Sequence, residues 1–420
     1  MKKTLGVKRV LTCCLILAVL TGCGSQVAQA PEATDTALPP TVAPTSPSAT
    51  AAPLPTDTAL PPTDTPIPPT PTPIPPTSTP EPTPFPTRIP APRARDGNGL
   101  VYDTESSLVI VFGGGRGENL WANDTWAYDI RLGQWKEFEI ESGARPPLLA
   151  AGAMIYDSES DRAIWHGGLN PDEGWVPTRD TWSFDANSGT WEERARGPAG
   201  GFDQQMAYDS ESDRVVYFGG VHLKEDAIGL WQALRQGEKF GGTWTYDWNT
   251  DTWTEMEPNP SPPPRYNAAM AYHPKADRVI MFGGVFDYRS EEDPHVWAYD
   301  LNTNTWEQMG AAEGVPLEGF RMAYDAESDV MVLYGGGFFL GGGGGNDNTW
   351  AYDLEEDAWT KMSPEHTPGK MGWHAMTYVD DIDRMFLFGG MLNGNYNDTL
   401  TEPWLYDYNN DTWQPMTQGR

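Results

Sequence analysis

Six Gly-Gly pairs divide most of this chain at nearly even intervals: Gly113-Gly114, Gly167-Gly168, Gly219-Gly220, Gly283-Gly284, Gly335-Gly336 and Gly389-Gly390. Their first members stand 54, 52, 64, 52 and 54 residues apart. A period near fifty residues marks an array of one supersecondary unit, no copy of which can bury its apolar face alone. Each pair closes a short run such as Leu108 to Phe112 or Arg214 to Phe218, apolar at consecutive positions. Consecutive apolar residues bury both faces of a strand. A sheet packed between two other sheets provides that environment.

Upstream of each run lies a tyrosine and a mostly acidic turn, as in Tyr208-Asp209-Ser210-Glu211-Ser212-Asp213. Downstream, after a loop of variable length, comes Trp, one residue, an aromatic and Asp, as in Trp126-Ala127-Tyr128-Asp129. A second Trp follows that Asp by six residues in every unit: Asp129/Trp135, Asp185/Trp191, Asp247/Trp253, Asp300/Trp306, Asp353/Trp359 and Asp407/Trp413. The residues between are turn formers. Each unit thus reads as four antiparallel strands: an inner strand, a glycine-ended strand, a Trp-x-Tyr-Asp strand and an outer Trp strand.

This combination resembles the kelch repeat, and the resemblance covers roughly residues 93–417. It implies an all-β fold: a six-bladed kelch-type β-propeller, as in the central domain of galactose oxidase, with four antiparallel strands per blade. The expected blades are about 93–144, 145–198, 199–262, 263–316, 317–369 and 370–420. The first unit holds its own inner-strand candidate, Gly99 to Tyr102, so no blade is expected to mix the two chain ends.

The chain begins with Lys2, Lys3, Lys8 and Arg9 and an apolar stretch, Leu11 to Leu20, as in a secretory signal. Leu20-Thr21-Gly22-Cys23 resembles the lipobox of bacterial lipoproteins, which implies cleavage after residue 22 and a lipid-modified Cys23. Residues 31–92 contain 22 Pro and 15 Thr. Such a composition forms no core and favours extended polyproline II. Residues 23–92 are therefore expected to be a disordered stalk, whose Pro/Thr-rich part, residues 31–92, reaches about 190 Å when fully extended. The expected domains are a signal peptide at 1–22, this stalk, and the propeller at 93–420. The expected location is the bacterial cell envelope, outside the cytoplasm, with the bilayer met only through Cys23.

All three cysteines, Cys13, Cys14 and Cys23, precede the repeats. Galactose oxidase needs a tyrosine joined covalently to a cysteine, so that copper-radical chemistry is excluded here. His166, His222, His273, His295, His366 and His374 are spread over different units without ligand spacing, so neither a metal centre nor another cofactor is expected. The chain carries 28 Lys+Arg against 59 Asp+Glu. Subtracting residues 1–95, with seven basic and five acidic, leaves 21 against 54 in the repeats. That surface repels phosphates and anionic lipid, which argues against nucleic acid as a partner.

Of 18 Trp, twelve occupy the two repeated positions. Trp121, Trp175, Trp231 and Trp373 fall off pattern. Kelch topology implies that the loops after the glycine pairs and the segments leading into inner strands share one face, around the channel mouth. Loop-borne aromatics on a rigid scaffold serve recognition. The candidate ligand-binding residues on that face are Arg116, Trp121, Trp175, Arg179, Trp231, Arg265, Tyr288, Arg321, Trp373 and His374. Residues 225–234 of the long third-unit loop are expected to form a short helix. The expected function is a monomeric module that binds a protein or glycan outside the cell. The alternative is a carbohydrate-active enzyme of the sialic-acid mutarotase type, although no local motif marks a catalytic pair.

Overall fold

The computed structural model describes residues 91–416, apart from 117–119, 141–142, 174–175, 199–200, 223–236, 287–292 and 338–344. The signal segment, Cys23, the stalk up to residue 90 and the helix expected at 225–234 lie outside the described residues; Ala91, at the expected end of the stalk, packs against the core. Among the described residues, six four-stranded antiparallel sheets follow one another along the chain, and each takes its strands in sequence order. The first comprises Gly99–Asp103, Leu108–Phe112, Thr125–Asp129 and Gln134–Phe138. The last comprises Ala375–Val379, Arg384–Phe388, Trp404–Asp407 and Thr412–Pro415. No four-stranded sheet mixes the two ends of the described chain.

Burial follows strand position. The second strands are sealed on both faces, with Val109, Ile110, Val111 and Phe112 at most 1% exposed. Each such side chain contributes roughly 1.5–3 kcal/mol. The outer strands are mostly exposed, as in Gln134–Phe138, where only Trp135 and Phe138 are buried. The core lies between sheets: Ile110 and Phe112 of the first pack with Trp165, Trp182 and Trp191 of the second. Phe386 and Phe388 of the sixth pack with Tyr102, Val111 and Trp135 of the first. Inner strands contact their neighbours all the way round, the first touching both the second and the sixth, so the array closes on itself in a propeller-like ring.

The glycine pairs occupy the junctions between sheets. The second glycine of each pair donates its N–H to a carbonyl of the next sheet's entry segment: Gly114 to Leu149, Gly168 to Gly201, Gly220 to Arg265, Gly284 to Leu317, Gly336 to Met371 and Gly390 to Arg95. The last of these bonds joins the end of the array to its beginning. The first glycine leaves the room: at Gly113 (φ +66°) a Cβ would stand 2.7 Å from the Leu149 carbonyl oxygen.

Two further repeats are packing devices. The outer Trp reaches back to the preceding sheet, with Nε1 of Trp191, Trp306 and Trp413 each 2.9 Å from Oγ1 of Thr125, Thr243 and Thr349. Trp135 and Trp359 lack that partner, because Pro403 and Val296 stand where the threonine would be. The acidic turns are held by a tyrosine that donates five residues ahead, as in Tyr156 to Asp161 at 2.8 Å and Tyr208 to Asp213 at 3.0 Å. These aspartates take φ of +55° and +53°, a region Asp tolerates better than most residues. The Asp after the tyrosine caps the turn, Asp157 Oδ1 accepting from the N–H groups of Glu159 and Ser160. His166 is a packing residue, 1% exposed beside Tyr217 and Trp253, and burial pushes its imidazole down to about 3.

Candidate functional site

The glycine-pair end of the ring is framed by backbone. Ala151 N donates to Gly97 O, Asp203 N to Ala151 O, Asn267 N to Asp203 O, Trp373 N to Gly319 O and Gly97 N to Trp373 O, over 2.8–3.2 Å. All six residues have φ between +54° and +73°. Their positions repeat the 54, 52, 64, 52 and 54 spacing of the glycine pairs, one per sheet. The segments that carry them bridge to residues just after the glycine pairs, as in Asp96 with Gly115 and Phe202 with Val221. Loops and entry segments therefore do share this face.

Inside the belt lies an axial chamber of about 110 Å³, to which all six sheets contribute. Asn98, Asp203, Gln204, Gln205 and Arg321 are its polar lining. Arg321 is half-buried and donates to the Phe320 carbonyl at 2.8 Å; among the described residues it forms no ion pair. Burial lowers its pKa, and the charge of Asp203 works against that. Asp203 is 8% exposed, and burial pushes its carboxyl up to about 6, with Arg321 holding it lower than burial alone would.

Around this chamber, polar atoms are buried without a partner: Asp96 Oδ2, Asn98 Oδ1, Gln204 Oε1 and both amide atoms of Asn267. Buried polar groups are normally hydrogen-bonded, and leaving one unmade costs about 1–3 kcal/mol. A cluster of them at a channel mouth is a set of positions for a ligand or ordered water to satisfy.

The chamber floor is an apolar ring. Leu100, Met154, Met206, Met270, Met322 and Met376 line both the chamber and a basin of about 380 Å³ beyond it, so they form a waist across the channel. Sequence reasoning passed over these residues, although the five methionines share the 52, 64, 52 and 54 spacing. It also passed over Asn98, Asp203 and Gln204, whose register repeats while their chemistry does not.

The structure disperses the residues proposed from sequence. Arg321 lines the chamber, and Trp373 belongs to the backbone belt. His374 is fully buried against Tyr334, with both ring nitrogens unpartnered and its pKa lowered by burial. Arg265 is 1% exposed, and its guanidinium binds Asp293, the Gly283 carbonyl and the Pro263 carbonyl. Arg95 makes the equivalent clamp on Asp124 and the Gly113 and Arg93 carbonyls, so both guanidiniums are engaged within the fold. Arg179 donates to the Gly197 and Pro198 carbonyls. Trp121 packs over Gly115 and lines a separate recess with Arg93 and Asp124. Trp175, Trp231 and Tyr288 and the side chain of Arg116 lie outside the described residues.

A family profile described as the KLHDC2/KLHL20/DRC7 Kelch-repeats domain matches residues 76–259 and 212–419. Kelch domain-containing protein 2 of Bos taurus is 22% identical over 287 residues, covering 64% of this chain and 68% of the relative. Kelch domain-containing protein 1 of Mus musculus is 26% identical over 321 residues, covering 70% and 61%. Kelch domain-containing protein 10 of Homo sapiens is 24% identical over 316 residues, covering 61% and 69%. The chain thus spans about two thirds of the length of these relatives.

Proposed function

This chain belongs to the kelch-repeat domain family, and on that premise we propose that it is a binding module built on a six-bladed propeller. Its signal segment and Cys23 place it on a bacterial envelope membrane by a lipid anchor, and the Pro/Thr-rich stalk holds the propeller away from the bilayer. Its partner is a protein or glycan, met at the glycine-pair mouth of the channel. The observation that carries this reading is the polar chamber: a guanidinium that forms no ion pair among the described residues, sharing the space with Asp203 and with the unpartnered amide oxygens of Asn98 and Gln204.

Magnitude favours recognition over turnover. Small-molecule sites usually enclose about 300–1,000 Å³, and the chamber offers about 110 Å³. It therefore accepts the polar tip of a ligand whose body rests on the surrounding loops. Panning a peptide display library and a glycan array against the full-length protein tests this. Selected ligands should lose most of their affinity to Arg321→Leu while its unfolding midpoint stays close to that of the parent. Ligands indifferent to that substitution, or no selected ligand at all, would refute the assignment.

A second reading, a carbohydrate-active enzyme, draws on Asp203, whose carboxyl titrates near 6 in a confined site and is suited to moving a proton. Proton NMR of N-acetylneuraminic acid mutarotation decides it. An unchanged rate in the presence of the protein removes that reading.

A further inference from the structure

The far end of the channel offers a second site, with the opposite chemistry. Beyond the methionine waist the axis opens into the basin of about 380 Å³. Its walls are Tyr102, Tyr156, Tyr208, Tyr272, Tyr324 and Tyr378, one from each inner strand. Five of these hydroxyls are donated to an aspartate on their own turn, at 2.6–3.0 Å. Donation to an anion enriches the phenol ring in electrons and strengthens the attraction of its face for cations. At Tyr102 the turn carries Ser107 instead, and the hydroxyl interacts with Ser107 and Asp381 rather than with an aspartate five residues ahead.

Three residues past each tyrosine stands an exposed turn residue: Glu105, Glu159, Glu211, Lys275, Glu327 and Asp381. Five of the six are acidic, and the one cation, Lys275, is held by Asp329 at 3.2 Å. Carboxylate oxygens of Asp209, Glu211 and Asp277 lie within 4.8 Å of one another. In support, Asp157, Asp209 and Asp325 titrate above the usual carboxyl range, from burial first and neighbouring acids after it.

We propose that this mouth docks a lysine-rich segment of a partner protein, one lysine side chain entering the basin while others meet the carboxylate crown. The chemistry selects lysine: four methylenes suit walls of tyrosine and methionine, and the ammonium suits aromatic faces beneath carboxylates. The crown selects a polypeptide, because its charges are spread over five turns and one compact cation cannot answer them all. This site is independent of the polar chamber, and its failure would leave the function proposed above untouched.

Calorimetric titration of the full-length protein in nonionic detergent tests the proposal, with octalysine and spermine as probes at about 50 mM salt. Octalysine should bind more tightly than spermine. Replacing Glu105, Glu159, Glu211 and Glu327 together by Gln should weaken octalysine about tenfold. Ser210→Lys, at an exposed position lining the basin, should weaken it at least as much. The same number of carboxylates removed from exposed positions on or just beyond the outer strands, with Glu139, Glu193, Glu255 and Glu307 changed to Gln, should cost less than about twofold. Equal losses from the two quadruple variants would mean that net charge alone attracts lysine, and the proposal falls. It falls equally if octalysine does not bind or if spermine matches it.

Discussion

The two mouths of the channel are assembled from different materials. The glycine-pair mouth is framed by main chain, a belt of backbone hydrogen bonds whose members are Gly, Ala, Asp, Asn, Gly and Trp. The tyrosine mouth is framed by side chains, the same Tyr–Asp bond repeated in five of six turns. Backbone bonds do not specify side chains, so at the first mouth each unit can carry a different residue into a common geometry. At the second, identity is the structure, and repetition multiplies one charge. An array of near-identical units can therefore keep an individual recognition site at one end and a uniform electrostatic surface at the other.

The largest expected effect breaks the first mouth alone. Gly113→Ala forces a Cβ against the Leu149 carbonyl at positive φ. Strain and overpacking together should cost about 3 kcal/mol or more, read as a fall in the urea unfolding midpoint. Ser158→Ala on an exposed turn of the other mouth should stay within about 0.5 kcal/mol. If the two variants match, the glycine pairs are not what shapes the chamber.

Next in size is a pH effect at Asp203. Its folded carboxyl titrates near 6, above the value of about 3.9 in an unfolded chain. The folded state then binds more protons through that window, so stability falls as pH rises from about 4 to 6 and levels off above. Asp203→Asn should therefore add up to about 3 kcal/mol at pH 8 and nothing near pH 3.5. Urea midpoints at the two pH values check the sign. An equal gain at both would assign the effect to packing.

At the tyrosine mouth the contrast lies within one ring. Tyr324→Phe loses the 2.6 Å bond to Asp329 and should cost about 1 kcal/mol. Tyr102→Phe removes a hydroxyl that has no aspartate five residues ahead and should cost less. Equal costs would show that the hydroxyls matter through something other than the turn bond.

What the sequence disclosed follows the same division. The strand order, the sealed second strands and the turn role of the acidic residues were readable because periodic residues do periodic work. Arg321 was found because it is a cation in an entry segment. Arg265 was grouped with it for the same reason, although Arg265 stands 18 residues before its glycine pair, as Arg95 does, and Arg321 only 14 before its own. The first register sets the guanidinium against Asp293, 28 residues away, and the second sets it in the chamber lining. Asp203 and Gln204 were passed over because a belt made by main-chain bonds leaves no residue signature, only a spacing. The methionine waist had that spacing, but thioethers at strand positions look like any core.

The smallest expected effect is the one that asks whether the mouths communicate. Arg321 is the second residue of its inner strand, and Glu327 lies on the turn that follows it. The strand from Arg321 to Asp325 alone spans about 13 Å, beyond a screening length of about 8 Å at physiological salt. Arg321→Leu should therefore change octalysine affinity at the far mouth by less than about twofold at 0.15 M salt. At about 0.01 M the screening length grows to about 30 Å. Losing the cation should then leave the crown more negative and tighten octalysine slightly. The sign matters more than the size: weaker binding at low salt would mean that the substitution deforms the waist, and that the two ends are coupled through packing across it.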